Sequence, residues 1–261
     1  MTECCRENRL YPELNGKIAL VTGAARGFGR AAAIRLALEG VTIVVNYRRS
    51  KSEAQNVVDE IAASGGCAVS IRADVGDDDA LDKMFETIKT DFDRLDILVA
   101  NAAFGIPGKM MESTKRYWDL TMSSSAWSLI SLAQRSVPLM DSGQGRIISI
   151  TSEGGSRVLD CYGLMGAAKG ALESITRALA IELAPKGILV NGILAGAADT
   201  RSLRSLPCAE ELIRKASTRT PVGRMLQPED VADVIAFLAS DQSRMICGQF
   251  IKVDGGLGIL A

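Results

Sequence analysis

Residues 17–29, KIALVTGAARGFG, join a short apolar run to a turn in which Gly23, Gly27 and Gly29 have the spacing G-x-x-x-G-x-G. The apolar run predicts a buried strand, and RAAAIRLALEG follows it with helical periodicity. Glycines let the backbone turn sharply and approach a phosphate without a Cβ atom in the way. Such a turn can also be purely structural, but its place between a strand and a helix favours dinucleotide binding.

The same alternation of strand and helix continues to the end of the chain. It predicts a doubly wound α/β fold, with helices on both faces of a parallel sheet, in a single domain covering residues 16–261. Residues 1–15 are polar and are expected to form a loosely held N-terminal extension. The seven predicted strands are KIALVTG, VTIVVNY, CAVSIRADV, LDILVANAA, GRIISITS, ILVNGILAG and GQFIKVDGG.

Composition excludes several classes of function. The 261 residues carry 30 basic and 31 acidic side chains. Because basic residues are not in excess, the composition does not favour nucleic acid or an anionic membrane as a partner. No apolar run has the length of a signal peptide or a membrane span, so the expected location is the cytoplasm. The chain has no histidine. Ser-His-Asp triads and His-ligated zinc are therefore excluded, no metal is expected, and acid–base chemistry falls to Tyr, Lys, Asp, Glu or Cys.

The six cysteines are scattered and form no C-x-x-C pair. In a chain of this size without secretion features, free thiols are the expected state. Cys161 adjoins Tyr162 and is expected to be a small buried residue, with a reactive thiol as the less favoured alternative.

Tyr162 and Lys169 are seven residues apart in a segment predicted to be helical from about 162 to 183. Seven residues are close to two helical turns, so both side chains would lie on nearly the same side. A nearby ammonium lowers the pKa of a phenol, which makes the pair a candidate acid. A half-buried tyrosine and a surface lysine on an amphipathic helix would show the same spacing.

The end of the second strand bears on the choice of cofactor. It reads Asn46-Tyr47-Arg48-Arg49, without the carboxylate that binds the ribose 2′-hydroxyl of NAD. Arg26, Arg48 and Arg49 could together neutralise a 2′-phosphate. A solvated basic turn explains these arginines equally well by themselves, but beside the glycine turn they favour NADPH.

Polar residues also follow three other predicted strands: Asp74 before Val75, Asn101, and Ser152. Ligands bind at the carboxyl ends of parallel strands, although short polar residues there are also common turn formers and helix caps.

Taken together, TGAARGFG, the Asp74 turn, NAA, the serine-bearing strand, the Tyr/Lys helix and VDGG resemble the short-chain dehydrogenase/reductase superfamily over roughly residues 16–257. The resemblance implies a Rossmann-type fold with a seven-stranded parallel sheet, nicotinamide-dependent hydride transfer and a homotetramer. It assigns catalysis to Tyr162, Lys169 and Ser152, with Lys169 holding the nicotinamide ribose and lowering the tyrosine pKa. The predicted cofactor-binding residues are Gly23, Arg26, Gly27, Phe28, Gly29, Arg48, Arg49, Asp74, Val75, Asn101, Lys169 and Thr200.

The chain also departs from the usual pattern of that superfamily. Most members have the tyrosine four residues before the lysine, where this chain has Met165. The Tyr-x6-Lys spacing resembles the enoyl-acyl-carrier-protein reductases, and the text around it is similar to the NADPH-dependent type III enzymes. The family's proton-relay asparagine would fall near Ser125, which lacks an amide.

These residues predict NADPH-dependent reduction of the C=C bond of a trans-2-enoyl thioester on acyl carrier protein or coenzyme A, as in fatty acid biosynthesis. Three alternatives remain: an enoyl-CoA reductase of specialised metabolism, a ketoreductase or alcohol dehydrogenase with a displaced tyrosine, and an NADPH-sensing binding protein without catalysis. Residues 197–220 are predicted to cover the substrate. Basic residues there would receive the acidic carrier protein or form a solvated helix face; they are Arg201, Arg204, Arg214, Lys215 and Arg219.

Overall fold

All seven predicted strands form in the computed structural model, which describes residues 9–140 and 143–260. The strands are Ile18–Val21 (β1), Thr42–Tyr47 (β2), Ala68–Arg72 (β3), Ile97–Ala100 (β4), Arg146–Ser152 (β5), Leu189–Ala195 (β6) and Phe250–Val253 (β7). They make one parallel sheet in the order β3-β2-β1-β4-β5-β6-β7, which confirms the predicted fold class. The strand order reverses between β1 and β4, and a crevice at such a point is where ligands bind in this architecture.

Helices cover both faces of the sheet. They are Gly27–Leu38 (α1), Lys51–Ala63 (α2), Asp78–Phe92 (α3), Lys115–Met122 (α4), Ser128–Ser136 (α5), Gly163–Leu183 (α6), Arg201–Arg204 (α7), Ala209–Arg219 (α8) and Pro228–Ala239 (α9). Successive β1 residues point to opposite faces: Ala19 and Val21 pack in one apolar core, and Ile18 and Leu20 in the other. Among the described helices, none is long and apolar enough to cross a bilayer.

The segment predicted as one long helix from about 115 to 140 contains an irregular turn. Between α4 and α5, Ser123–Trp127 forms a π-helix, whose wider turn carries Ser125 inward. Single π turns inside helices are frequent at functional sites, because they re-aim side chains without ending the helix.

The predicted N-terminal extension is packed where the structure describes it. Tyr11 and Leu14 are buried in the core beside α1, and the Tyr11 backbone N–H donates to the Glu39 carboxylate at 2.9 Å. Residues 9–15 therefore differ from the loosely held segment that polarity predicts, since two apolar side chains anchor them. Residues 1–8 of the extension lie outside the described part of the chain.

Candidate active site

The glycine turn between β1 and α1 has the shape of a phosphate cradle. Gly23 and Gly27 have φ angles of 63° and 55°, a region that favours glycine. A Cβ on Gly23 would lie 3.2 Å from Ala102 Cα, so the turn sits close against the end of β4. Within the described residues, Arg26 makes no side-chain cap hydrogen bond at the N-terminus of α1. The first N–H groups of that helix are therefore suited to an anion, and the residues fit a dinucleotide pyrophosphate.

Two buried polar side chains that the sequence analysis did not single out support this cradle. Asn46 accepts a hydrogen bond from Gly23 N at 3.2 Å. Thr22 Oγ1 accepts from the backbone N–H groups of Asn101 and Ala102, both at 3.0 Å. The Asn101 side chain in turn donates to Thr22 O at 2.8 Å. Asn46 is a polar residue within an otherwise apolar, largely buried stretch of β2, and this is the sequence signal that could have revealed its supporting role.

The predicted basic residues occupy different environments. Arg48 lies 3.4 Å from the Asp74 carboxylate, and its guanidinium stacks 5.3 Å from the centre of the Phe104 ring. Arg26 and Arg49 are exposed. Arg48 is thus held at the end of β2 by a carboxylate and an aromatic face, and Phe104 is a contact that the sequence analysis did not predict.

Four other predicted cofactor contacts lie around the same crevice. Gly29 faces Asn101, whose Nδ2 is 2.5 Å from where a Cβ on Gly29 would be. Phe28 packs against the core, and Val75 is buried on the opposite face of the sheet. Thr200 caps α7 by accepting from Leu203 N at 3.3 Å, and its methyl group is 3.6 Å from a Cβ built on Gly27. The end of β6 therefore meets the glycine turn.

Ser152 and Tyr162 meet at the carboxyl end of β5, where Ser152 Oγ donates to Tyr162 Oη at 3.1 Å. Tyr162 is the N-cap of α6 and precedes the helix. The prediction that Tyr162 and Lys169 lie on the same side of one helix is therefore wrong. Burial raises the pKa of Tyr162 above its ordinary value, against the lowering effect of the Ser152 hydrogen bond. The predicted direction of this pKa shift is therefore wrong, because burial outweighs the hydrogen bond from Ser152.

The Tyr162 ring lies directly against the backbone of Gly154. A Cβ on Gly154 would be only 2.5 Å from Tyr162 Cε1, closer than real Cβ contacts come. Glycine at this position is therefore what allows the phenol to approach Ser152.

Lys169 is buried inside α6, and its Nζ donates to Ile150 O at 2.7 Å. Burial lowers the pKa of Lys169 to about 8, and the carboxylate of Glu173 acts in the opposite direction. Glu173 is held by Thr151, whose hydroxyl donates to it at 2.9 Å. Glu173 was not predicted as a site residue, although its position four residues after Lys169 places it on the same helical face.

Ser125 and Met165, the two residues that depart from the family pattern, both contact the loop after β4. Ser125 Oγ donates to Phe104 O at 2.9 Å and accepts from Phe104 N at 3.2 Å, so its hydroxyl is bound to the loop after β4. Met165 packs on the same loop, with its sulfur 3.2 Å from a Cβ built on Gly105.

The prediction of free thiols is wrong for Cys161 and Cys208, which form a disulfide with their Cα atoms 6.5 Å apart. Both are partly exposed, so Cys161 is not the buried residue we expected. The bond joins positions 47 residues apart, and only the tertiary structure brings them together. Cys67 and Cys247 are free, and the remaining two cysteines lie outside the described residues.

A glycine cradle lies at the strand-order reversal, and the Ser152–Tyr162 pair and the buried Lys169 each contact or adjoin β5. Such an arrangement is typical of a dinucleotide-dependent oxidoreductase. Comparison with known proteins agrees. The sequence model of a family described as Enoyl-(Acyl carrier protein) reductase matches residues 23–258. The chain belongs to this family within the short-chain dehydrogenase/reductase superfamily.

Its relatives reduce different bonds according to their names. The chain is 36 % identical over 247 residues to 1-cyclohexenylcarbonyl-CoA reductase of Streptomyces collinus, covering 94 % of this chain and 88 % of that one. It is 35 % identical over 242 residues to 3-oxoacyl-[acyl-carrier-protein] reductase FabG of Staphylococcus aureus (strain N315), covering 92 % and 98 %. The solved Bacillus cereus enoyl-acyl carrier protein reductase with NADP+ and indole naphthyridinone has a TM-score of 0.89 and 31 % identity, covering 95 % and 98 %.

Proposed function

We propose that this protein uses NADPH to reduce the C=C bond of a trans-2-enoyl thioester. The observation that carries the proposal is the position of the phenol. Tyr162 lies at the N-cap of α6, seven residues before Lys169, while Met165 stands where a carbonyl reductase of this superfamily has its tyrosine. A carbonyl reductase needs its acid on the oxygen of the carbon that receives hydride. An enoyl reductase needs the acid two atoms further away, which a displaced tyrosine supports.

The residues of the chain have distinct tasks in this reaction. The cradle of Gly23 and Gly27 at the start of α1 holds the pyrophosphate, Arg48 faces the 2′-phosphate, and Lys169 holds the nicotinamide ribose. NADPH, when bound, would supply the hydride that adds to the β-carbon, and the enolate left on the substrate would take a proton from solvent at its α-carbon. Because its pKa is raised, Tyr162 stays a neutral phenol and can donate a hydrogen bond to the thioester oxygen as negative charge develops there.

A second candidate function is reduction of a 3-oxoacyl thioester. It is supported by the hydrogen bond between Ser152 and Tyr162, because two hydroxyl groups side by side suit a ketone oxygen as well as a thioester oxygen. The similarity to the 3-oxoacyl reductase of Staphylococcus aureus points the same way.

The two functions are separated by NADPH consumption with crotonyl and acetoacetyl thioesters, each on coenzyme A and on acyl carrier protein. We expect turnover with the crotonyl substrates, and turnover with the acetoacetyl substrates alone would overturn the proposal in favour of ketone reduction. Tyr162→Phe should lower kcat by about 10²- to 10⁴-fold while NADPH still binds. Tyr117→Phe is the matched control, since Tyr117 is exposed on α4. An unchanged kcat in Tyr162→Phe would remove the phenol from the mechanism.

The substrate carrier is the less constrained part of the proposal. On the predicted cover, Arg204 pairs with Asp199 at 2.6 Å and Arg214 with Glu211 at 2.7 Å. Exposed pairs of this kind are weak, so these arginines remain able to meet an acidic carrier protein. A higher kcat/KM on acyl carrier protein than on coenzyme A, lost as salt is added, would support that carrier.

We also propose a homotetramer. Trp118 and Trp127 are 40 % and 44 % exposed on the segment formed by α4 and the π-helix, so this segment offers apolar surface to another copy of the chain. Light scattering coupled to gel filtration measures the assembly, and a monomer at micromolar concentration would contradict it.

A further inference from the structure

The Cys161–Cys208 disulfide ties two parts of the site together. Cys161 immediately precedes Tyr162, and Cys208 lies between α7 and α8, in the segment predicted to cover the substrate. Cys208 Sγ is also 3.0 Å from Asp160 O. The bond therefore anchors the predicted cover beside the phenol of the proposed active site.

The two helices of the cover have few apolar contacts of their own. Of the described residues, α7 buries none and α8 buries only Ala209 and Ala216, while the rest of 197–220 buries Ala198, Leu206 and Thr220. Two buried alanines remove little apolar surface from water, so they contribute little to holding the helices down. A segment of this kind opens readily by local fluctuation unless a covalent bond restrains it.

Both cysteines lie at or next to the N-cap of a helix. Cys208 is the N-cap of α8, an eleven-residue helix, and Cys161 directly precedes the N-cap of the 21-residue α6. Free N–H groups and the helix dipole at such positions favour a thiolate, which speeds thiol–disulfide exchange, while Glu210 and Glu211 in the first turn of α8 act against a thiolate at Cys208. Because both side chains are partly exposed, a small thiol can reach the bond.

We propose that Cys161 and Cys208 form a redox-modified site that exchanges with low-molecular-weight thiols and disulfides and so controls opening of the cover. In oxidation, one protein thiolate attacks a small disulfide such as glutathione disulfide and expels one small thiolate. The second protein thiolate then attacks the mixed disulfide and expels the other. The two protein thiols lose two electrons and two protons in total, and the small disulfide becomes two thiols; reduction reverses both steps.

The bonded form holds α7 and α8 over the cleft, and the reduced form releases them to admit and release a carrier-bound substrate. Only the effect on turnover rests on the proposed function; formation of the bond and the motion of the cover can be measured without any substrate. We therefore expect reduction to raise kcat/KM for the best thioester by about fivefold, because opening of a cover often limits turnover.

The test compares protein treated with glutathione disulfide and protein treated with dithiothreitol. Peptide mapping should find the Cys161–Cys208 linkage only in the first sample. Backbone hydrogen exchange in residues 201–219 should be about fivefold faster in the second. Cys208→Ser should show the fast exchange under both conditions, whereas Cys67→Ser, which removes an exposed free thiol, should behave as the parent protein.

Three results would overturn the inference. They are absence of the linkage in the oxidised protein, a linkage that leaves hydrogen exchange in 201–219 unchanged, and an unchanged kcat/KM on reduction of an active enzyme. If no thioester is reduced at all, the proposed function fails, while peptide mapping and hydrogen exchange still decide the redox site. A thermal midpoint of Cys208→Ser close to that of the reduced parent shows that the variant is folded.

Discussion

Gly154→Ala tests whether the position of the Tyr162 ring controls catalysis. The new Cβ would lie 2.5 Å from Tyr162 Cε1, whereas an ordinary carbon contact needs roughly 3.5 Å. The ring or the Gly154 backbone must therefore move by about 1 Å. Gly154 is not among the described glycines with positive φ, so alanine brings no backbone strain of its own.

A shift of this size should reach the chemistry. The Ser152–Tyr162 hydrogen bond is 3.1 Å long, and a further 1 Å or so would break it. Misplacement of a catalytic group by about 1 Å can cost about 100-fold in rate, which corresponds to about 2.7 kcal/mol. We expect kcat to fall by about that factor while the Kd for NADPH stays within about twofold, because the new Cβ meets Tyr162 and Leu159 and none of the glycines of the cofactor cradle.

The assay is steady-state NADPH oxidation with the best thioester, together with NADPH binding followed by fluorescence. A double-mutant cycle supplies the control, since Gly154→Ala should have little further effect on kcat in the Tyr162→Phe background. An equal loss in both backgrounds would refute the reasoning, because the substitution would then act by some route other than the phenol. So would an unchanged kcat in the single variant.

Three further predictions concern the cofactor, pH and the core. Arg48→Ala should weaken NADPH binding by about tenfold and leave NADH binding unchanged, as measured by titration. Arg244→Ala, which removes an exposed arginine between α9 and β7, is the control, and equal losses for both cofactors in Arg48→Ala would contradict the 2′-phosphate role. The folded pKa of Lys169, about 8, lies below its ordinary 10.5, so the unfolded chain binds more protons between these values and stability should rise from pH 8 to 10.5. Urea unfolding measures this increase in the free energy of unfolding, and Lys169→Met should reduce it by about 3 kcal/mol at most. An unaltered dependence of the unfolding free energy on pH in Lys169→Met would show that Lys169 does not cause the increase. Leu98→Ala, in the fully buried β4, should cost about 2–5 kcal/mol in the same measurement, and a loss below about 1 kcal/mol would mean that the core collapses around the gap.

Much of the fold could be predicted because its signals are local. Apolar runs of four to seven residues predict strands, and the helical spacing after Gly29 predicts α1, since both patterns follow from backbone geometry within one element. Their alternation then leaves a doubly wound parallel sheet as the arrangement that buries every apolar face. The start of α6 after Tyr162 was harder to predict from the sequence, because helix ends depend on caps and on tertiary contacts.

The candidate site also combines features that the sequence predicts with features that depend on the tertiary structure. The sequence by itself determined the glycine turn, the absence of an acid after β2 and the unusual tyrosine spacing, because each lies within a few residues of chain. Only the tertiary structure decided that Ser152 meets Tyr162, that Gly154 makes room for the ring, and that Cys161 is bonded to Cys208. It also reversed the expected direction of the tyrosine pKa. Ionisation depends on burial and on neighbours from distant segments, and no local spacing records either of them.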